Sequence, residues 1–211
     1  MKLAPLTLAL VALLPLAARS GHADPAPVGE RVAAAAGILR AKQSSPHPIP
    51  QNVIDAARGV AIVSLSRGGF IFGGQRGTGL VIARTRGALG PSWSAPIAFN
   101  MSGGSFGAQI GYEKVSYIFI LNTDAALQSF LGDDGAWWAA GTALAGVQIY
   151  TQADGVYGGA TVGGVTLRLD RDANRHAYGD AFNTRDIING HTQRPQSAAK
   201  LYELLNGVPE E

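Results

Sequence analysis

Residues 59–111 read GVAIVSLSRGGFIFGGQRGTGLVIARTRGALGPSWSAPIAFNMSGGSFGAQIG. In this stretch, short runs of β-branched and aromatic residues alternate with glycines, and a Trp-Ser-Ala-Pro sequence separates two of the runs. Such runs are typical of β-strands, and clustered glycines are typical of the turns that join them. The stretch therefore predicts an all-β core of short, tightly turned strands. Val60 to Leu65, a continuous apolar run, is expected to be buried on both faces.

Helical patterns lie on both sides of this core. Arg31 to Lys42 (RVAAAAGILRAK) is predicted to be a helix, and Pro50 suits the start of a short helix over residues 51–57. Asp124 to Leu131 is predicted to be a helix capped by the residues before it. Pro195 to Asn206 is predicted to be the final helix, because its leucines share one face.

A second β region is predicted after the third helix. It comprises runs at residues 147–151, 155–161 and 165–170, with a hairpin turn at Asp154-Gly155. We therefore expect an α+β fold, with an antiparallel β-sandwich or barrel-like core of short Gly-rich strands and with N- and C-terminal helices.

The N-terminus has the features of a targeting segment. A basic start at Lys2 precedes a short apolar run, and Gly21-His22-Ala23 offers small residues for cleavage after Ala23. We expect a signal peptide at 1–23, a linker at 24–29, a single domain at 30–207 and a tail at 208–211. The protein is expected to be periplasmic or secreted, with peripheral membrane association.

Charge and cysteine content exclude several functions. The full chain has 17 basic and 15 acidic residues, and removal of 1–23 would take away Lys2 and Arg19 and leave the two classes equal. Bulk charge therefore does not favour nucleic-acid binding. The chain has no cysteine, which excludes disulfides, thiol catalysis and thiolate metal sites.

Ser105 stands in Gly103-Gly104-Ser105-Phe106-Gly107, which matches the G-x-S-x-G nucleophile elbow of serine hydrolases. That elbow requires a helix directly after the serine, and the residues that follow are typical of a strand. A serine hydrolase that uses Ser105 is therefore the least favoured alternative, and we predict no catalytic residue and no enzyme activity.

Two further motifs are incomplete. Asp170-Arg-Asp172-Ala-Asn174 begins like a calcium loop but has Arg175 and Ala181 where glycine and glutamate are needed, so a polar turn is favoured. The glycine-rich segment 73–79 lacks the Gly-Lys-Ser/Thr ending of a phosphate loop. No pair of histidines has zinc-binding spacing. The sequence predicts no cofactor and no metal.

The glycine-rich motifs occur in the order expected of the SYLF-domain family, and the resemblance covers residues 30–206. Each motif is short, and the combination is specific. The motifs are Gly59-Val-Ala-Ile-Val, Gly69-Phe70-Ile-Phe72-Gly73-Gly74, Gly77-Thr-Gly79 with Arg84, Trp93-Ser-Ala-Pro96, Gly107-Ala-Gln-Ile-Gly111, Leu121-Asn122, Gly155-Val-Tyr-Gly-Gly159 and Asn174-x-x-x-Tyr178-Gly179.

This resemblance implies binding of membrane lipids without catalysis. Eukaryotic members bind phosphoinositides and fungal members bind actin, whereas an exported chain resembles the bacterial branch, for which actin is not expected. Between Phe130 and Tyr150 the family usually carries a Gly-Pro-x-Gly-Arg turn, and this chain has a short apolar segment with Trp137-Trp138. We therefore expect interfacial aromatic residues to contribute more to binding.

The leading hypothesis is a lipid-binding module of the bacterial envelope or secreted space that recognises anionic phospholipid headgroups. The alternative is a structural or protein-interaction component of the envelope that uses an exposed sheet edge. The candidate lipid-binding residues are basic or aromatic: Arg31, Arg40, Lys42, Arg67, Phe70, Phe72, Arg76, Arg84, Lys114, Trp137 and Trp138.

Overall fold

The computed structural model describes residues 27–87, 90–132, 136–139 and 145–208. The predicted signal peptide, the first half of the linker and the end of the tail lie outside these ranges. The described chain has an α+β fold with helices at both ends of an antiparallel sheet, which confirms the predicted class. The elements are α1 (Val28–Gln43), α2 (Gln51–Ala56), β1 (Gly59–Gly87), β2 (Gly90–Trp93), β3 (Ile97–Leu121), α3 (Asp124–Ser129), β4 (Ala136–Ala139), β5 (Val147–Leu169), α4 (Arg171–Tyr178), α5 (Thr184–Ile188), a 3-10 turn (Gln196–Ala198) and α6 (Ala199–Leu205).

The described strands form one sheet in the order β2-β1-β3-β5-β4, and every neighbouring pair is antiparallel. The outermost strands are β2 and β4, so the sheet is open and is not closed into the expected barrel. Helices cover its two faces, where the sandwich prediction expected a second sheet.

The prediction of many short strands is wrong, because β1, β3 and β5 are long and run through most of their glycines. The supposed turn at Asp154-Gly155 is part of the ladder, where these residues pair with Lys114 and Glu113. Glycine in a strand also marks a close approach of two backbones. A Cβ atom at Gly77 would lie 2.5 Å from the Ser64 carbonyl oxygen, and one at Gly79 would lie 2.5 Å from that of Ile62.

Gly77 and Gly79 therefore lie against the backbone of residues 64 and 62 of the same strand, so β1 bends back on itself. The bend lies at residues 70–72, where the register with β3 shifts and Ile71 has a φ of 66°. A β-branched residue is rarely found in this left-handed region. The bend divides the sheet into an end that helices cover and an end that is exposed to solvent.

The covered end comprises residues 59–65 and 79–84 of β1 and residues 97–101 and 115–121 of β3. One face packs against α1, α2 and α6 through residues such as Val60 and Ile82, and the other packs against α3 and α5 through Val63 and Phe99. Burial of both faces confirms the prediction made for Val60 to Leu65, all of which are buried except Ser64.

Helix α1 begins at Val28, inside the predicted linker, because Pro27 precedes its first turn. Its buried face includes Val32, Ala35 and Leu39, spaced as one stripe of a helix requires. The same stripe carries Arg31, whose side chain is buried. None of the helices within the described ranges combines the length and apolarity needed to cross a bilayer.

Helix α4 was not predicted, since Asp170 to Asn174 was interpreted as a polar turn. Asp170 caps this helix by accepting a hydrogen bond from the backbone N–H of Ala173 at 3.0 Å. The amide of Asn174 is fully buried and pairs with Ala98 of β3. It accepts from the Ala98 N–H and donates to the Ala98 carbonyl, both at 2.8 Å. This pairing ties α4 to the sheet where β5 has ended.

Candidate functional site

The exposed end of the sheet comprises residues 66–76 of β1 and 102–114 of β3. Of the seven exposed large hydrophobic residues in the described part of the chain, five lie here. Monomeric proteins rarely gather such residues without a partner or ligand. The five residues are Phe70, Ile71, Phe72, Ile110 and Tyr112, with exposures of 68%, 44%, 71%, 63% and 58%.

The strand register places several of these side chains on one face. Phe70 pairs with Ile110, and the next pair on that face is Gly68 with Tyr112. The Tyr112 ring lies over Gly68, 3.3 Å from the position of a Cβ atom there, and its hydroxyl lies 3.2 Å from the Ser66 hydroxyl. Gly68 therefore provides the space in which Tyr112 lies across the strands.

Basic groups flank the apolar residues. Arg67 donates to Glu113 through Nε at 2.7 Å and through a terminal nitrogen at 2.6 Å, which leaves its side chain one-third exposed. Arg67 and Arg76 line one shallow depression of about 500 Å³, together with Tyr112. Lys114 is exposed on the neighbouring strand. The exposed end thus combines apolar side chains with cations, which suits an anionic interface.

The structure brings together Arg67, Phe70, Phe72, Arg76 and Lys114 from the predicted set. Three members of the surface, Ile71, Ile110 and Tyr112, were not predicted from the sequence. The alternation of Ile110, Tyr112 and Lys114 at every second position was the available signal, because alternate residues of a strand share a face.

Arg31 is not at this surface, because its guanidinium lies in the core. It pairs with Asp170 and donates to the carbonyl oxygen of Phe99 at 2.7 Å and to Asn100 at 3.2 Å. Its side chain is 1% exposed. Arg31 therefore has no exposed group for a lipid headgroup, and its inclusion among the surface residues is corrected.

Arg84 is also held within the fold. Its guanidinium lies 3.8 Å from the centre of the Trp93 ring and donates to the Ile54 carbonyl oxygen at 2.9 Å. Burial lowers the pKa of Arg84, while Asp55, 3.9 Å away, raises it to a smaller extent. These contacts place Arg84 at the covered end, far along β1 from the aromatic bend.

The other candidates lie on different elements. Arg40 and Lys42 are in the last turns of α1, and the Lys42 ammonium lies 5.7 Å from the centre of the Tyr150 ring. Trp137 and Trp138 lie in β4, which pairs with residues 164–167 of β5, and their side chains fall outside what the structure describes. Ser105 pairs with Gly73 and Gly163 in mid-strand, so no nucleophile elbow forms there.

Comparison with known proteins identifies the family. The Ysc84 family model, described as "Las17-binding protein actin regulator", matches residues 102–208. LAS seventeen-binding protein 3 of Saccharomyces cerevisiae is 32% identical over 177 residues, which cover 74% of this chain and 38% of the relative. SH3 domain-containing YSC84-like protein 1 of Homo sapiens is 32% identical over 180 residues, which cover 77% of this chain and 52% of the relative.

The chain thus spans about half, or less, of these relatives. No solved structure matches it. The ordered glycine motifs, the matched family and the identity over most of the chain agree. The chain belongs to the Ysc84 family, which is the SYLF-domain family that its sequence resembles.

Proposed function

We propose that this chain is a non-enzymatic module that binds membrane surfaces through the exposed end of its sheet. The observation that carries the proposal is the cluster of five exposed apolar side chains beside Arg67, Arg76 and Lys114. Insertion of an aromatic ring into the interface is favourable, and each nearby cation adds attraction to an anionic lipid surface. Anionic phospholipid headgroups are the proposed ligands.

The backbone at Ile71 supports a binding role for this bend. A left-handed conformation is costly for a β-branched residue, and such strain is concentrated at functional sites. Glycine would remove the strain but would also remove an apolar side chain between Phe70 and Phe72. The sequence thus keeps three consecutive apolar side chains at a solvent-exposed bend of the sheet.

Co-sedimentation of the full chain with phosphatidylcholine–phosphatidylglycerol vesicles tests this proposal. Ile110→Ser should weaken binding about tenfold or more, since the transfer of one large apolar side chain contributes about 1.5–3 kcal/mol. Ile149→Ser is the matched control: Ile149 is 46% exposed on β5, opposite Phe119 at the covered end.

The N-terminal segment is the same in both variants, so their difference isolates the exposed end. Equal vesicle binding by Ile110→Ser and Ile149→Ser would exclude this surface. Absence of binding to anionic vesicles at low salt would exclude the function.

Export is part of the proposal. The apolar segment before Ala23 supports a signal peptide, and cleavage after Ala23 would release a chain that starts at Asp24. The mass of the protein recovered from the periplasm or medium of an expressing bacterium tests it. Recovery of the uncleaved chain from the cytoplasm would contradict export.

A protein partner is the second candidate function. The expectation that actin is not a partner is not supported, because the matched family is described as an actin regulator and the yeast relative as a Las17-binding protein. Co-sedimentation with actin filaments tests this candidate. Binding to filaments without binding to vesicles would favour it over the lipid surface.

A further inference from the structure

The outer edge of β5 is open at the start of the strand. β4 covers this edge only at residues 164–167, and no other strand in the described part of the chain pairs with it. Residues 147–152 pair with residues 116–121 of β3 on their inner side. On the outer side, the N–H and carbonyl groups of every second residue have no ladder partner among the described residues. Such an edge is a template for another strand.

This edge lacks the features with which sheets commonly block strand addition. Lysine, proline and β-bulges protect many natural edges. Residues 147–152 read VQIYTQ, which contains no charged residue, proline or glycine, and their register with β3 runs without a shift. Four of the six side chains are exposed, those of Gln148, Ile149, Thr151 and Gln152. The segment is therefore a regular, neutral and accessible strand edge.

Tyr150 holds the middle of this segment in place. Its side chain packs against the core cluster that β1 and β3 form with α1, α2 and α6, and the Lys42 ammonium lies 5.7 Å from the centre of its ring. The edge is thus ordered before a partner arrives. Pairing with another strand therefore costs little conformational entropy on this side of the contact.

The sequence around Tyr150 is complementary to itself in the antiparallel direction. When QIYTQ is paired with a second copy of itself about Tyr150, each Gln148 lies opposite a Gln152. Each Ile149 then lies opposite a Thr151, and the two copies of Tyr150 meet. Glutamine amides exchange hydrogen bonds, and β-branched and aromatic pairs are favourable across strands. A two-fold interface requires this kind of match, because the same surface is used by both copies.

We propose that the chain forms a two-fold dimer in which residues 148–152 pair antiparallel with the same residues of a second copy. Backbone hydrogen bonds supply the affinity, and the glutamine pairs set the register. Residues 147–152 lie opposite 116–121 of β3, outside the exposed end of the sheet. The dimer therefore leaves the proposed membrane surface uncovered, and neither proposal depends on the other.

Single-cysteine variants of the full chain test this register, because the chain has no cysteine of its own. A mixture of Gln148→Cys and Gln152→Cys chains should form a disulfide-linked heterodimer under mild oxidation. Directly opposite residues of an antiparallel pair have Cα atoms about 4.5–5.5 Å apart, which a disulfide can span. Non-reducing gel electrophoresis with mass spectrometry measures the product.

Each cysteine variant alone is the matched control. Position 148 of one copy lies about 14 Å along the strands from position 148 of the other, so neither variant should crosslink with itself. Crosslinking of the separate variants to the same extent as the mixture would overturn the antiparallel pairing. Absence of crosslinking in the mixture would overturn it as well.

Charge variants test the dimer without a crosslink. Gln148→Lys with Gln152→Lys places like charges opposite each other twice, and the dimer Kd should rise about tenfold or more. Gln148→Glu with Gln152→Lys is the matched control, because the same exposed positions then form two opposite-charge pairs. This control should dimerise at least as tightly as the unchanged chain.

Sedimentation velocity over a range of protein concentrations measures the dimer Kd of each chain. The N-terminal segment is the same in all of them, so a difference between the two charge variants isolates the β5 edge. Equal self-association of both variants would overturn the proposed interface. An unchanged chain that stays monomeric as its concentration is raised would overturn the dimer itself.

Discussion

The two ends of the same sheet differ in what covers them. At the covered end, helices bury both faces of β1 and β3, and even Arg31 lies in the core with a carboxylate partner. At the exposed end, the same strands continue without helices from either core cluster and present Phe70, Phe72 and Ile110 to solvent. Under the proposed function, one length of this pair of strands provides stability and another length provides membrane binding. Substitutions at one end should therefore leave the property of the other end unchanged.

The largest expected effect is on the Arg31–Asp170 pair. Asp170→Asn leaves the Arg31 charge buried without its carboxylate, and we expect a loss of about 3–5 kcal/mol in the free energy of unfolding. Urea denaturation followed by circular dichroism measures it. Asp172→Asn is the matched control, because Asp172 is 78% exposed in its pair with Arg175, and it should cost less than about 0.5 kcal/mol. Similar losses in both variants would show that the pair does not stabilise the covered end.

A smaller effect is expected from two glycines of β1. Gly79→Ala places a Cβ atom 2.5 Å from the Ile62 carbonyl oxygen and 2.8 Å from the Phe99 ring, and this overpacking should cost about 1–3 kcal/mol. A Cβ atom at Gly74, at the exposed end, meets nothing within 4 Å, so Gly74→Ala should stay within about 0.5 kcal/mol. Thermal unfolding of both variants compares the two ends directly. A more damaging Gly74→Ala would reverse the comparison.

The smallest stability effect is expected at the bend. Ile71→Gly removes a left-handed conformation that costs about 1–2 kcal/mol but adds the entropy cost of glycine, so we expect a gain of about 0–1 kcal/mol together with weaker vesicle binding. Denaturation and vesicle co-sedimentation of the same preparation measure both quantities. Ile149→Gly, in β5, should lose stability instead and keep vesicle binding. A loss of stability in both variants would show that Ile71 is not strained.

Much of the fold follows from local patterns. The starts of α2 at Gln51 and α3 at Asp124 were predicted because the residues that begin these helices, Pro50 and Thr123, stand directly before them in the sequence. The long strands were missed because Gly77 and Gly79 lie in a glycine-rich segment that is typical of a turn. Glycine is needed at these positions because the carbonyl oxygens of Ser64 and Ile62, more than ten residues away in sequence, lie close to them. Helix α4 was missed because Asp170 to Asn174 was interpreted as a polar turn. In the structure Asp170 caps this helix and also pairs with Arg31.

The candidate site shows the same limit. Phe70, Phe72, Arg76 and Lys114 were proposed from the sequence as lipid-binding residues; all four are exposed, and their role in lipid binding stays a prediction. The burial of Arg31 and Arg84 depends on Asp170 and Trp93, and neither pairing has a sequence signature. A prediction from charge alone therefore assigned too many basic residues to the binding surface.

The amide of Asn174 has a consequence for self-association. It occupies both the N–H and the carbonyl of Ala98 in the place where the next residue of a neighbouring strand would pair. Unpaired backbone at the end of a ladder is a template for strand addition by another molecule. Together with the Asp170 N–H, which also donates to the Ala98 carbonyl at 3.0 Å, the Asn174 side chain thus closes this ladder position to strand addition.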